Sequence, residues 1–160
     1  MKIKNLILIK FIFIFIYLIN SNEAKAEDCD TTVSSSLTSQ LECTDDDTLN
    51  VTTSGSVIKT GSDAIHAKNH SGVTIDNKGT ISASVNQAIN MQHAVNITVT
   101  NSGTIEATQR NAILMDGVNA DNNTINNSGT LKAGKKQVIL ATNSENTTII
   151  NSGTIETTNS

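Results

Sequence analysis

The sequence predicts an all-β protein, a right-handed parallel β-helix with three short strands per coil, a repeat of 24–26 residues and about four to five coils. Three observations carry this expectation. A five-residue motif returns at a near-constant interval, short β-branched stretches alternate apolar and polar residues between its returns, and the repeating part contains no aromatic residue.

The motif is Asn77-Lys78-Gly79-Thr80-Ile81. It returns as Asn101-Ser102-Gly103-Thr104-Ile105, as Asn127-Ser128-Gly129-Thr130-Leu131 and as Asn151-Ser152-Gly153-Thr154-Ile155. A weaker first copy is Thr53-Ser54-Gly55-Ser56-Val57. From glycine to glycine the spacings are 24, 24, 26 and 24 residues. Periodicity of this length marks a solenoid, whose units bury their apolar sides only by stacking on their neighbours.

Each period holds three stretches too short for ordinary helices, dominated by Val, Ile and Thr and mostly alternating, which is a strand signal. Stacking equivalent stretches predicts three inward columns: Val57/Ile81/Ile105/Leu131/Ile155, Ile65/Ile89/Ile113/Ile139 and Val51/Ile75/Val99/Ile125/Ile149. Ala67, Met91, Met115 and Ala141 fill a second inward position of the middle strand. Aliphatic side chains stacked on their own copies about 4.8 Å apart suit a narrow interior. Each well-buried one contributes roughly 1.5–3 kcal/mol. The four aromatics, Phe11, Phe13, Phe15 and Tyr17, all precede this region.

The recurrent Asn and Gly are expected at the sharp corner between the third strand and the first. Asn77, Asn101, Asn127 and Asn151 would form a ladder of stacked amides. Gly79, Gly103, Gly129 and Gly153 would supply positive φ without steric cost. This makes the motif a structural turn ladder rather than a binding fingerprint. The two-residue excess of the third period falls in residues 116–122, a predicted longer surface loop.

Three segments follow. Residues 1–26 read as a signal peptide: Lys2 and Lys4 are basic, residues 11–19 are apolar, and Ala24-Lys25-Ala26 places small residues before a cleavage ahead of Glu27. The apolar run is shorter than the roughly 20 residues a membrane-spanning helix needs. Removing it takes four lysines and one acid and leaves a net charge of −7. That charge, with no aromatic stacking platform, disfavours nucleic acid as a partner. Residues 27–48 read as an N-terminal cap. Its Cys29 and Cys43 are the only cysteines of an exported chain, so a disulfide is the default, and their spacing fits neither a C-x-x-C redox pair nor a zinc knuckle. Residues 49–160 are the coils.

Candidate chemistry is sparse. The acids Asp63, Asp76, Glu106, Asp116, Asp121, Glu145 and Glu156 occupy different repeat positions, and Arg110 is the only arginine. His66, His70 and His93 share no repeat position, so neither a catalytic nor a metal site is expected. Asp45-Asp46-Asp47 lacks the alternating acids and distal Glu of a calcium loop. The outward columns Thr80/Thr104/Thr130/Thr154 and Thr74/Thr98/Thr124/Thr148 lack the second Thr that a flat ice-binding array needs, and Thr is a natural outward strand residue. One candidate contact strip stands out. The outward column of the middle strand runs His66, Asn90, Leu114, Leu140, and with Ala112 and Val138 it predicts an exposed aliphatic patch, to be covered by a later segment or by a partner.

A signal peptide, the acidic stretch Cys43-Thr44-Asp45-Asp46-Asp47-Thr48-Leu49 and repeated N-S-G-T-I-E-A coils together resemble the N-terminal part of an autotransporter (type V secretion) passenger domain, over about residues 27–160. The resemblance implies export through the Sec machinery and transit through the periplasm. It then implies display at the cell surface or release from a Gram-negative bacterium, as a non-enzymatic stalk or adhesin-like scaffold without cofactors. It also implies a C-terminal outer-membrane β-barrel, which the residues through Ser160 do not supply, because they hold neither long alternating strands nor aromatic girdles. A host-cell or carbohydrate surface is the partner it suggests. The alternative is the N-terminal part of a secreted carbohydrate-active β-helix enzyme, a lyase or hydrolase with its site beyond Ser160. A third reading is a short self-assembling solenoid.

Overall fold

In a computed structural model of the protein, residues 26–158 are described. The predicted signal segment with Ala24 lies outside them, whereas Ala26 and Glu27 lie within. The chain winds through six rungs of three strands. The first rung is β1 (Glu27–Asp28), β2 (Thr31–Val33) and β3 (Ser36–Leu37), and the second is β4 (Leu41–Glu42), β5 (Thr48–Val51) and β6 (Ser56–Lys59). The third is β7 (Ile65–His66), β8 (Thr74–Asn77) and β9 (Thr80–Ala83), and the fourth β10 (Ile89–Asn90), β11 (Thr98–Asn101) and β12 (Thr104–Ala107). The fifth is β13 (Ile113–Leu114), β14 (Thr124–Asn127) and β15 (Thr130–Ala133), and the sixth β16 (Ile139–Leu140), β17 (Thr148–Asn151) and β18 (Thr154–Thr157). Each strand pairs in parallel with its equivalents in the neighbouring rungs, which gives three six-stranded parallel sheets.

The register places two of the three predicted columns as read and changes the first member of the other. Ile65, Ile89, Ile113 and Ile139 are paired in sequence along the first sheet. Val57, Ile81, Ile105, Leu131 and Ile155 are paired along the third. In the second sheet Leu49 occupies the rung of the Ile75/Val99/Ile125/Ile149 column, and Val51 lies one inward position further along, beneath Asn77. The sequence placed Val51 in that column, and the shift follows from the first Asn-column position being filled by an aliphatic residue.

Burial follows stacking. Ile75, Ile81, Ile89, Ile105, Ile113 and Ile125 are fully enclosed between the rungs on either side. In the sixth rung the same columns emerge, with Ile149 at 45% and Ile155 at 41% exposure, because one face of each has no rung against it.

Residues 27–48, expected as a cap, supply the first rung and the start of the second. Glu27 pairs with Leu41, Thr31 with Leu49 and Ser36 with Ser56, a tighter winding than that of the later coils. Cys29, Val33, Leu41 and Cys43 are the buried apolar residues of this segment. Cys29 and Cys43 are joined by a disulfide with their Cα atoms 4.6 Å apart.

The corner between the first and second sheets is built from left-handed residues in two columns. One is Asn69, His93, Asn119 and Asn143, and the other Asp46, Gly72, Asn96, Asn122 and Asn146, with φ between 52° and 73°. Asn tolerates this region better than most residues, which explains its recurrence here. The predicted loop at residues 116–122 absorbs the two extra residues of its coil, with Gly117 at φ 127° and Val118 68% exposed.

Candidate interaction surface

The Asn ladder forms as predicted. Asn77 Nδ2 donates to Asn101 Oδ1, Asn101 Nδ2 to Asn127 Oδ1 and Asn127 Nδ2 to Asn151 Oδ1, each at 2.7 Å. Each of these three amides also donates to the backbone carbonyl of the motif threonine one rung on: Thr104, Thr130 and Thr154. Asn77, Asn101 and Asn127 are buried, so these bonds satisfy groups that water cannot reach.

The glycines are required for a different reason from the one expected. Gly79, Gly103, Gly129 and Gly153 are not among the glycines with positive φ, which are Gly61, Gly72 and Gly117. A Cβ at Gly103 would collide with the carbonyl oxygen of Gly79 beneath it, and Gly129 and Gly153 stand in the same relation to the glycine one rung earlier. Close approach of stacked backbones, not a left-handed turn, excludes any side chain.

The predicted contact strip is not an exposed patch. Ala112 is fully buried, and Leu114 and Val138 are each 6% exposed. Leu114 is held between its in-register neighbours Asn90 and Leu140, which cover it from both sides. Leu140 is half-buried in the sixth rung. Exposed large apolar side chains lie elsewhere, at Ile58, Val85, Val118, Ile149, Ile150 and Ile155.

Two polar clusters join neighbouring coils. Asp63 is buried, and its Oδ2 accepts from Asn90 Nδ2 at 2.9 Å and lies 3.0 Å from His66 Nδ1, while its Oδ1 accepts from the Gln87 N–H. The hydrogen bond to Asp63 raises the His66 pKa above the ordinary imidazole value. Burial opposes the shift, nearby Glu42 and the Asp63 charge add to it, and Lys68 weakens it. At the corner, Asp45 accepts from the Ser71 N–H and lies 3.1 Å from His70 Nδ1. The Ser71 bond, followed by His70, holds its carboxyl below the usual value. His93 occupies a left-handed Asn-column position with its Nδ1 3.1 Å from the Val118 carbonyl.

Asn123 is a structural residue that the sequence did not single out. It lies fully buried at the inward position held by Ile97 one coil earlier. Its Oδ1 accepts from the Ile97 N–H, and its Nδ2 donates to the carbonyls of Ala94 and Ala120. It thereby satisfies the backbone of the enlarged loop. The adjacent two-residue excess was the only signal for it.

Lys132 stands in register between Glu106 and Glu156, and Ser82 donates to Glu106 Oε1 at 3.1 Å. Among the described residues no group of three or more His, Cys, Asp or Glu side chains is placed to hold a metal ion. No family model matches the chain, and neither a curated protein nor a solved structure matches it.

Proposed function

We propose that this chain is an exported, non-enzymatic β-helical segment of an autotransporter-type surface protein, acting as a stalk or adhesin-like scaffold. The observation that carries the reading is the uninterrupted stacking of N-x-G-T-I rungs beneath outer faces of Thr, Ser and Asn. Such a rod holds its ends apart by backbone hydrogen bonding and needs no catalytic constellation. The start of β1 at Glu27, directly after Ala24-Lys25-Ala26, supports removal of a signal peptide by the Sec pathway, since cleavage there would leave the first strand whole. On this reading a C-terminal barrel anchors the protein, and a further rung stacked on β17 and β18 would bury Ile149 and Ile155. The surface recognised is a host cell or a carbohydrate.

The test is to produce the full chain in a Gram-negative host, fractionate the cells and sequence the N-terminus of the product. A periplasmic chain beginning at Glu27 is expected. A full-length chain retained in the cytoplasm would overturn the reading. Fusion to an outer-membrane barrel should then expose the coils to external protease on intact cells.

A further inference from the structure

The corner between the first and second sheets carries a repeated sequence. Asn96-Ile97-Thr98, Asn122-Asn123-Thr124 and Asn146-Thr147-Thr148 each read N-x-T, the acceptor pattern for asparagine-linked sugar. The Asn supplies the left-handed turn, a place that Gly72 fills one coil earlier, and the Thr stands at an outward strand position that Thr74 shares.

Folding brings the three into one line. Thr98 pairs with Thr124 and Thr124 with Thr148 along the second sheet, so the acceptors repeat at the spacing of adjacent strands. Asn96, Asn122 and Asn146 are all exposed, with φ of 58°, 58° and 52°. Their backbones are anchored: the Asn96 N–H donates to the Asp121 carbonyl and the Asn122 N–H to the Glu145 carbonyl, both at 3.0 Å. The middle residue of each triplet points inward, Ile97 and Asn123 being fully buried, so Asn and Thr share the outer side.

The other N-x-S/T triplets of the coils are placed differently. Asn50 lies within β5 and Asn126 within β14, each half-buried and inside a strand paired on both sides. Asn69-His70-Ser71 is also an exposed corner triplet, but it lies in the other left-handed column and carries Ser, not Thr.

We propose that Asn96, Asn122 and Asn146 form a column of acceptor sites for asparagine-linked glycosylation along this corner of the β-helix. The donor is a sugar activated as a glycosyl phosphate or diphosphate. Within a transferase, Asn Nδ2 attacks the anomeric carbon of the donor and a C–N bond forms. The bond from that carbon to the phosphate oxygen breaks, the phosphate leaves with the electron pair, and one amide proton passes to a base of the transferase. The threonine two residues on is the recognition element. The inference goes beyond the reading of the chain as an exported scaffold, and it concerns only this corner.

The test is peptide mass spectrometry of the protein purified from the cells that naturally make it. Hexose or N-acetylhexosamine mass increments are expected on one or more of Asn96, Asn122 and Asn146, with Asn50 and Asn126 bare. Thr124→Ala should remove the increment from Asn122 alone, and Thr124→Ser should keep it, both variants retaining the surface strand. Three unmodified corner asparagines would overturn the proposal. So would sugar confined to threonine hydroxyls, or increments at Asn50 and Asn126 as heavy as those at the corner. Export without modification would refute this inference and leave the scaffold reading standing.

Discussion

Asn77 sits in register with Val51 of the preceding rung, and its buried Oδ1 has no hydrogen-bond donor among the described residues. The ladder donates in one direction, each Nδ2 bonding the Oδ1 of the next rung, so its first member is always the one left unsatisfied. Val51 offers no donor.

This polarity predicts that ladder substitutions depend on position. Asn101→Val removes the donor to Asn127 Oδ1, which would become a buried orphan, and also the acceptor used by Asn77. Each buried group left unsatisfied costs about 1–3 kcal/mol. Asn151 is exposed, and Asn151→Val leaves Asn127 Nδ2 its bond to the Thr154 carbonyl, so that loss should stay below about 1 kcal/mol. Urea unfolding of both variants checks this, and equal losses would remove the distinction.

At the motif glycine, Gly103→Ala and Gly103→Asn should be comparably damaging, each by about 1–3 kcal/mol or more, because any Cβ meets the Gly79 carbonyl. Were positive φ the requirement, Asn would largely rescue the site. His93→Asn is the control: His93 has φ 56° in a column otherwise filled by Asn, and that change should be neutral or stabilising in thermal unfolding.

The Asp63–His66 pair makes a pH-dependent contribution. The folded His66 pKa is raised, so the stabilisation is fully present below the unfolded imidazole value of about 6.5 and is lost as pH rises through the higher folded value. The His66 side chain is 30% exposed, so solvent screens the effect to a modest size. The melting-temperature advantage of the wild type over His66→Gln should therefore be larger at pH 5.5 than at pH 8.5. A difference that does not change with pH would count against it.

The Cys29–Cys43 disulfide acts on the first rung. Its Cα atoms lie across neighbouring turns, and the Cys29 N–H donates to the Glu42 carbonyl. Closing a loop of this size contributes on the order of 3 kcal/mol. Cys29→Ser with Cys43→Ser should release hydrogen-exchange protection from β1 to β3 first, while β8, β11 and β14 keep theirs. Uniform loss through all rungs would show that the bond acts on the whole solenoid.

Much of the fold was legible because each coil repeats the same local instructions. Ile81, Ile105 and Leu131 could be aligned by period alone, and the ladder followed from the recurrence of Asn. The first rung was not legible, because residues 27–43 wind more tightly and lack the motif, and their inward residues include two cysteines. The contact strip failed at Leu114 because alternation tells which way a side chain points, not whether its neighbours in the stack close over it. The N-x-S/T triplets are written in the sequence, but the corner column and the mid-strand ones separate only when Asn96 and Asn126 are placed in the fold.

The sequence by itself determined the period, the inward aliphatic columns, the disulfide partners and the amide ladder, since these depend on residue type at a repeated position. The tertiary structure alone decided why Gly103 admits no side chain, where the ladder leaves an oxygen without a donor, and which apolar residues remain exposed. Those outcomes are set by the rung above and the rung below. A coil's own residues specify its path, but clash, burial and hydrogen-bond satisfaction arise only when the next coil is stacked against it.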